Sequence, residues 1–224
     1  MTAPAAQIRL WQLISPSLPV GMFAWSQGLE YAVEARWVRD ADQVQQWIEA
    51  QLVDNVGCLD APLLLRFASA WQAQDQAALE YWSQFLYAAR EASELNTEDQ
   101  QLGRALGRVL VELGIGRAGE WVQYDRVSYL LLFSLAVSHW QIPLPQALMA
   151  YLWGWTENQV MAAIKLVPLG HMAGQRMLSG LVETIQRVAA RAPQLDDTQI
   201  GRSWPGFGIA CARHETQYSR LFRS

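Results

Sequence analysis

A chain of 224 residues can bury a substantial core, and 51% hydrophobic with 17% charged residues places it outside the disordered range. Its net charge of −4 offers no basic face for nucleic acid. The longest apolar run, Tyr129 to Val137, is well short of the ~18 residues a membrane span needs. No basic and apolar leader opens the sequence, and Cys58 and Cys211 form no CxxC pair, so both read as reduced core residues and the cytoplasm is the expected compartment.

The hydrophobic period is helical almost throughout, and no strand alternation or repeat stands out. Ile8, Trp11 and Leu13–Ile14 predict a first helix stopped by Pro16 and Pro19, and Ser15 to Met22 a fixed turn containing Gly21. Leu29, Ala32, Val33 and Trp37 define the next apolar face, behind Ser26 as N-cap. Asp40, Asp60-Ala61-Pro62 and Asp75 then open three helices, carrying Val44–Leu52, Leu63–Trp71 and Leu79–Leu86. Thr97-Glu98-Asp99-Gln100 reads as a capping box before a helix with Leu102, Leu106, Leu110 and Leu113. Residues 114–125, with three glycines, read as a loop. Val127 to His139 is apolar on nearly all sides and predicts a central buried helix. A helix opening at Pro145, a short one over Val160–Val167 and a long one from about Gly170 to Ala192 complete the series. Pro193, Pro205 and three glycines make the segment up to Ile209 a linker. The fold class is all-α: about ten helices in one domain over residues 1–200, with linker and tail over 201–224.

The last twelve residues, from Arg213 to Ser224, hold three arginines, one glutamate, His214, Tyr218, Leu221 and Phe222. Arg and aromatic side chains combine contact area with directional polar tips, as interface hot spots do. Such a tail either folds back on its own body or meets a partner. Lys165, the single lysine among 16 arginines, sits in the otherwise apolar stretch Val160–Val167. It either snorkels to water or reaches an acceptor. Phe23 and Trp25 project to one side if extended and part by about 200° if helical. No P-loop, dinucleotide glycine pattern, HExxH or GxSxG is present, so no enzyme chemistry is expected. Of His139, His171 and His214, only the last, beside Glu215, is even a weak metal candidate; no tight intrinsic metal site is expected.

Three stretches carry a resemblance. Leu13 to Glu30, LISPSLPVGMFAWSQGLE, looks like the SP-x-LPVG…SQGLE signature of the urease accessory protein F (UreF) family. Lys165-Leu166-Val167-Pro168-Leu169-Gly170 with Gly174-Gln175-Arg176 is similar to its PLGQ…GQR segment, with His171 where Gln is common. RHETQYSRLFRS closely resembles its carboxyl terminus, and Arg90-Glu91 with Glu94-Leu95 is a weaker match.

The resemblance implies an all-helical, non-enzymatic urease maturation factor, a homodimer that binds the UreD/UreH accessory protein. That pair would recruit and regulate the GTPase UreG on the urease apoprotein, so Ni²⁺ and GTP are handled by partners and no cofactor is intrinsic. A GTPase-activating protein acting directly on UreG, or a direct nickel carrier, are the alternatives. On this resemblance the partner-binding candidates are Phe23, Trp25, Gln27, Glu30, Lys165, Pro168, Gly170, Arg213, His214, Glu215, Tyr218, Arg220 and Phe222.

Overall fold

The computed structural model describes residues 2–223, and among these every regular element is helical. Helix α8 (Tyr129–His139) is the axis: each side chain from Tyr129 to Val137 is buried, as expected for an element apolar on all sides. Ser128 caps it, its hydroxyl accepting from the Leu131 amide at 3.1 Å. Helices α4 (Asp60–Ala73) and α6 (Ser93–Glu112) flank α8, and Trp71 of α4 donates its indole N–H to the Leu131 carbonyl at 3.0 Å. Around this trio lie α1 (Ala3–Ile14), α2 (Leu29–Glu34), α3 (Ala41–Gln51) and α5 (Gln76–Ala89), with the antiparallel pair α9 (Leu144–Leu166) and α10 (His171–Arg191). Asp40 and Asp75 cap α3 and α5 through the amides of Gln43 and Ala78, as their side-chain type and position predict.

Five local expectations give way. Helix α9 runs unbroken where two helices were expected, because nothing in Thr156-Glu157-Asn158-Gln159 removes a backbone donor and Thr156 and Gln159 are buried in the packing. Residues 114–125 contain a short helix, α7 (Ala118–Val122), fixed by burial of Ala118 and Trp121. Ser26 stands ahead of the helix: α2 starts behind Gly28, with the Ser26 hydroxyl accepting from the Glu30 amide. Thr97 caps nothing; it lies inside α6 and its hydroxyl donates back to the Ser93 carbonyl. Finally, the expected linker ends early. Pro205 opens helix α11 (Pro205–His214), and Phe207 and Cys211 pack against Ala92 and Leu95 in a small satellite core. Helix α11 is therefore packed against the body, on α2 and α6. Cys58 and Cys211 are both free and buried.

Candidate functional site

The tail turns back after α11 and is clamped between α2 and α6. Glu30, in the first turn of α2, accepts hydrogen bonds from the Leu221 amide at 2.6 Å and the Phe222 amide at 2.9 Å. Its carboxylate also lies 3.1 Å from His214 Nε2, and the other ring nitrogen, Nδ1, lies 2.8 Å from Glu94 of α6. The second Glu94 oxygen accepts from the Arg220 guanidinium at 2.8 Å. Glu215 reaches the start of α6, accepting from the amide and hydroxyl of Ser93, both at 2.8 Å. The last tie is backbone: the Arg223 amide donates to the Ala24 carbonyl at 2.8 Å. Two carboxylates thus hold a tail that carries most of the local positive charge.

The LPVG…SQGLE signature supplies the receiving surface. Gly21, in the left-handed region at φ 84°, begins a 3-10 turn over Met22–Ala24, after which Trp25 is extended. The change of backbone parts the rings: Trp25 is buried and Phe23 is 67% exposed. Gln27 (φ 51°) and Gly28 (φ 77°) are both left-handed. A Cβ on Gly28 would meet the Cys211 amide nitrogen and Sγ at 3.1 Å, so the sharp turn and the close seat of α11 need the same glycine. The side chain of Gln27 points inward, donating to Glu98 at 2.9 Å and accepting from the Trp155 indole at 2.9 Å.

The Pro-Leu-Gly break sits at the corner between α9 and α10, with Pro168 and Gly170 exposed. Gly174 lets the two helices touch, since a Cβ there would fall 2.5 Å from Ile164 Cδ1. Lys165, in the last turn of α9, is exposed, and its Nζ lies 5.9 Å from the Phe23 ring centre and 5.5 Å from that of Phe222. The three motifs, distant in sequence, therefore meet at one edge of the molecule.

Behind that edge lies a cavity of about 260 Å³, running from Phe23, Met161 and Lys165 inward to Asp60, Arg90, Glu98 and Tyr151. Arg90 grips Asp60 in two bonds of 2.7 and 3.1 Å and Asp99 in one of 2.8 Å, and Tyr151 donates to Asp60 at 3.0 Å. Burial opposes the Arg90 charge, but the two aspartates outweigh it and hold the guanidinium firmly ionised. Glu98 lacks such a partner. Burial pushes its carboxyl up to about 8 despite the bond from Gln27, and its Oε2 has no protein donor.

Among the sequence candidates, Phe23, Lys165, Pro168, Gly170, Arg213, Tyr218 and Arg220 are exposed. Trp25, Glu30, His214 and Phe222 are buried, Gln27 clamps Glu98, and Glu215 caps α6. In the isolated chain the side chains of these six make the contacts that hold the signature and the tail in place. His214 has both ring nitrogens facing carboxylates, so neither is turned toward open solvent while the tail is clamped. Among the described residues no group of three His, Cys, Asp or Glu side chains lies where it could hold a metal ion. Glu94 was the residue that sequence reasoning passed over; the Arg90-Glu91, Glu94-Leu95 stretch was its only signal. Asp60 and Tyr151 gave none.

Fold and site together define a single-domain, all-helical protein whose carboxyl terminus is built into its own body. Comparison with known proteins makes this particular: the UreF family model matches residues 38–182, and the chain belongs to the UreF family. It is 51% identical over 219 residues to the urease accessory protein UreF of Alkalilimnicola ehrlichii, covering 98% of this chain and 96% of that one. It is 46% identical over 224 residues, the whole of both chains, to the protein of that name from Pseudomonas putida. With that of Hahella chejuensis it shares 41% over 221 residues, 99% of each. No helix among the described residues is long and apolar enough to cross a membrane.

Proposed function

We propose that this chain is a non-enzymatic urease maturation factor. With a UreD/UreH-type accessory protein it recruits and regulates the GTPase UreG on the urease apoprotein, in the cytoplasm and as a homodimer, and Ni²⁺ passes to urease as cargo. Membership of the UreF family, and relatives named urease accessory proteins, support the maturation role. One observation carries the choice of surface. Lys165 stands exposed between Phe23 and Phe222, without an ion pair among the described residues, where the signature, the Pro-Leu-Gly corner and the clamped tail converge. An unpaired cation framed by aromatic rings is a contact point for an acidic group on a partner. Around it Tyr218 and Leu221 of the tail, and Met161 of α9, add exposed apolar area.

The test is co-expression with the accessory proteins and urease, followed by capture of the complex. Tyr218→Ala with Leu221→Ala, and separately Lys165→Ala, should leave helical circular dichroism intact and reduce capture of the UreD/UreH-type protein or UreG. Full capture and full urease activation by both variants would refute the assignment of this surface.

A further inference from the structure

We propose that the cavity behind the Lys165 edge is a binding site for a short dipolar molecule, an amino or guanidino carboxylic acid, which sets its carboxylate at Lys165 and its cationic end against Glu98 and Glu157. Helix α9 supplies the wall that gives the cavity two unlike ends. Glu157, Met161 and Lys165 all line it at four-residue spacing, so they stand in one row on one face of the helix. Glu157 and Lys165 are separated by just over two turns, about 12 Å along the axis. Neither is in an ion pair among the described residues. Opposite charges thus mark the two ends of one row, too far apart to neutralise each other.

The inner end is rich in acceptors. Glu98, 4% exposed, lines the cavity; its Oε1 accepts from Gln27, but its Oε2 has no hydrogen-bond partner among the described residues. Asn158, also in the lining, donates its side-chain N–H to the Trp25 carbonyl at 3.4 Å and keeps its amide oxygen as a further acceptor. Burial pushes the Glu157 carboxyl up, and that of Glu98 up to about 8, as happens to acids taken out of water without a counter-charge. Asp60 and Asp99 beside them differ, because Arg90 is bonded to both. A bound ammonium or guanidinium supplies both the missing positive charge and the missing donors.

At the mouth the sign reverses. Lys165 is the cation there, with its Nζ 5.9 and 5.5 Å from the ring centres of Phe23 and Phe222. Much of the remaining lining is apolar, Leu18, Val20 and Phe133 among it, and suits a methylene chain. A volume of about 260 Å³ holds a small molecule of this kind. A bare metal ion fits less well: among the described residues no three His, Cys, Asp or Glu side chains lie where they could hold one, and it would leave the lysine end unused. The site goes beyond the proposed role in maturation; it belongs to the isolated chain and rests on no partner contact.

The experiment uses the full ¹⁵N-labelled chain and three probes of similar length: ε-aminocaproate, hexanoate and hexylamine. Binding is read from the indole N–H of Trp155 and the side-chain amide of Gln27, which line the cavity and are hydrogen-bonded to each other. ε-Aminocaproate should bind at least about tenfold more tightly than either single-ended probe, the gain expected of a second charged contact. Lys165→Ala should bring it down to the level of hexylamine and leave hexylamine unchanged. Glu98→Gln with Glu157→Gln should bring it down to the level of hexanoate and leave hexanoate unchanged. Glu157→Gln alone, at a half-buried position, should give a partial loss of the same kind, and it carries the test if the double variant does not fold. Absence of binding, equal affinity for the three probes, or a Lys165→Ala loss as large for hexylamine as for ε-aminocaproate overturns the site. Shifts confined to Tyr218 and Leu221, with Trp155 and Gln27 unmoved, would put the probe on the outer surface and overturn it as well.

Discussion

Glu215 caps a helix that begins 122 residues before it. Its carboxylate accepts from the amide and hydroxyl of Ser93, and the residue at the N-cap position itself, Ala92, offers no side-chain acceptor. A negative group at this end also suits the helix dipole. A residue of the tail therefore completes the start of α6, which links the order of the tail to the stability of that helix.

Glu215→Ala should accordingly destabilise the whole domain and not only loosen the tail. Loss of a cap costs about 0.5–2 kcal/mol. Chemical denaturation should show a lower midpoint with unchanged slope, and exchange protection in the first turn of α6 should fall together with that of Leu221 and Phe222. Loss of tail protection alone, at full global stability, would show that the cap is not coupled to the fold.

Glu98 makes stability depend on pH. Its carboxyl is held near 8 by burial in the fold and returns to the ordinary carboxylate range on unfolding. Between those values the folded state keeps a proton that the unfolded state has released, so this group takes stability away as pH rises from about 4.3 to about 8. The slope from one proton approaches ~1.4 kcal/mol per pH unit. Glu98→Gln keeps an acceptor for Gln27 and removes the titration. Its stability curve should be flatter over this window, and the gain over the parent largest at the alkaline end. Parallel curves for the two proteins would contradict the assignment.

Legibility in the sequence followed how local the cause was. Asp40 and Asp75 cap their helices through amides three residues on, and α8 is buried because its own side chains are apolar on every face. Those facts lie within one turn of the residues concerned. The clamp does not: Glu30 bonds Leu221 across 191 positions and Glu94 bonds His214 across 120. Composition of the tail left open whether it folded back or met a partner, because arginines serve equally well in either place. Likewise Thr97 has the spacing of a capping box, but α6 begins one turn earlier, at Ser93, where Glu215 from far along the chain accepts from the first amide. Resemblance located the motifs; only the fold shows that Glu30 and His214 are turned inward and that Phe23 and Lys165 are not.

The buried ion network offers a direct contrast of mechanisms. Arg90 is bound by Asp60 and Asp99, with side chains 10%, 4% and 15% exposed. Arg90→Ala leaves two carboxylates in a dry site without a cation, and breaking a buried pair in this way costs about 3–5 kcal/mol. We expect loss of cooperative unfolding or a steep drop in melting temperature. Changing Arg90 and both aspartates together to apolar residues of similar volume should recover much of the loss, as removal of all partners avoids the orphaned charge. A single variant as stable as the parent would mean that water reaches the network through the cavity.

Lys165→Ala separates the local role of this lysine from its role at a surface. Lys165 is exposed, and its contacts with the rings of Phe23 and Phe222 lie near the outer limit of cation–π attraction. Its removal should change stability by no more than ~0.5 kcal/mol. If an acidic group of a partner docks between the rings, the same change should weaken capture by the equivalent of ~2–5 kcal/mol, since the partner's charge is left desolvated and alone. Lys165→Arg keeps the charge but adds bulk and a planar fork, and should restore capture only in part. Phe23→Ala, at a side chain that is 67% exposed, should likewise spare the fold and impair capture. Normal urease activation in cells by both alanine variants, at wild-type protein levels, would return Lys165 to a lysine that merely carries its charge to water.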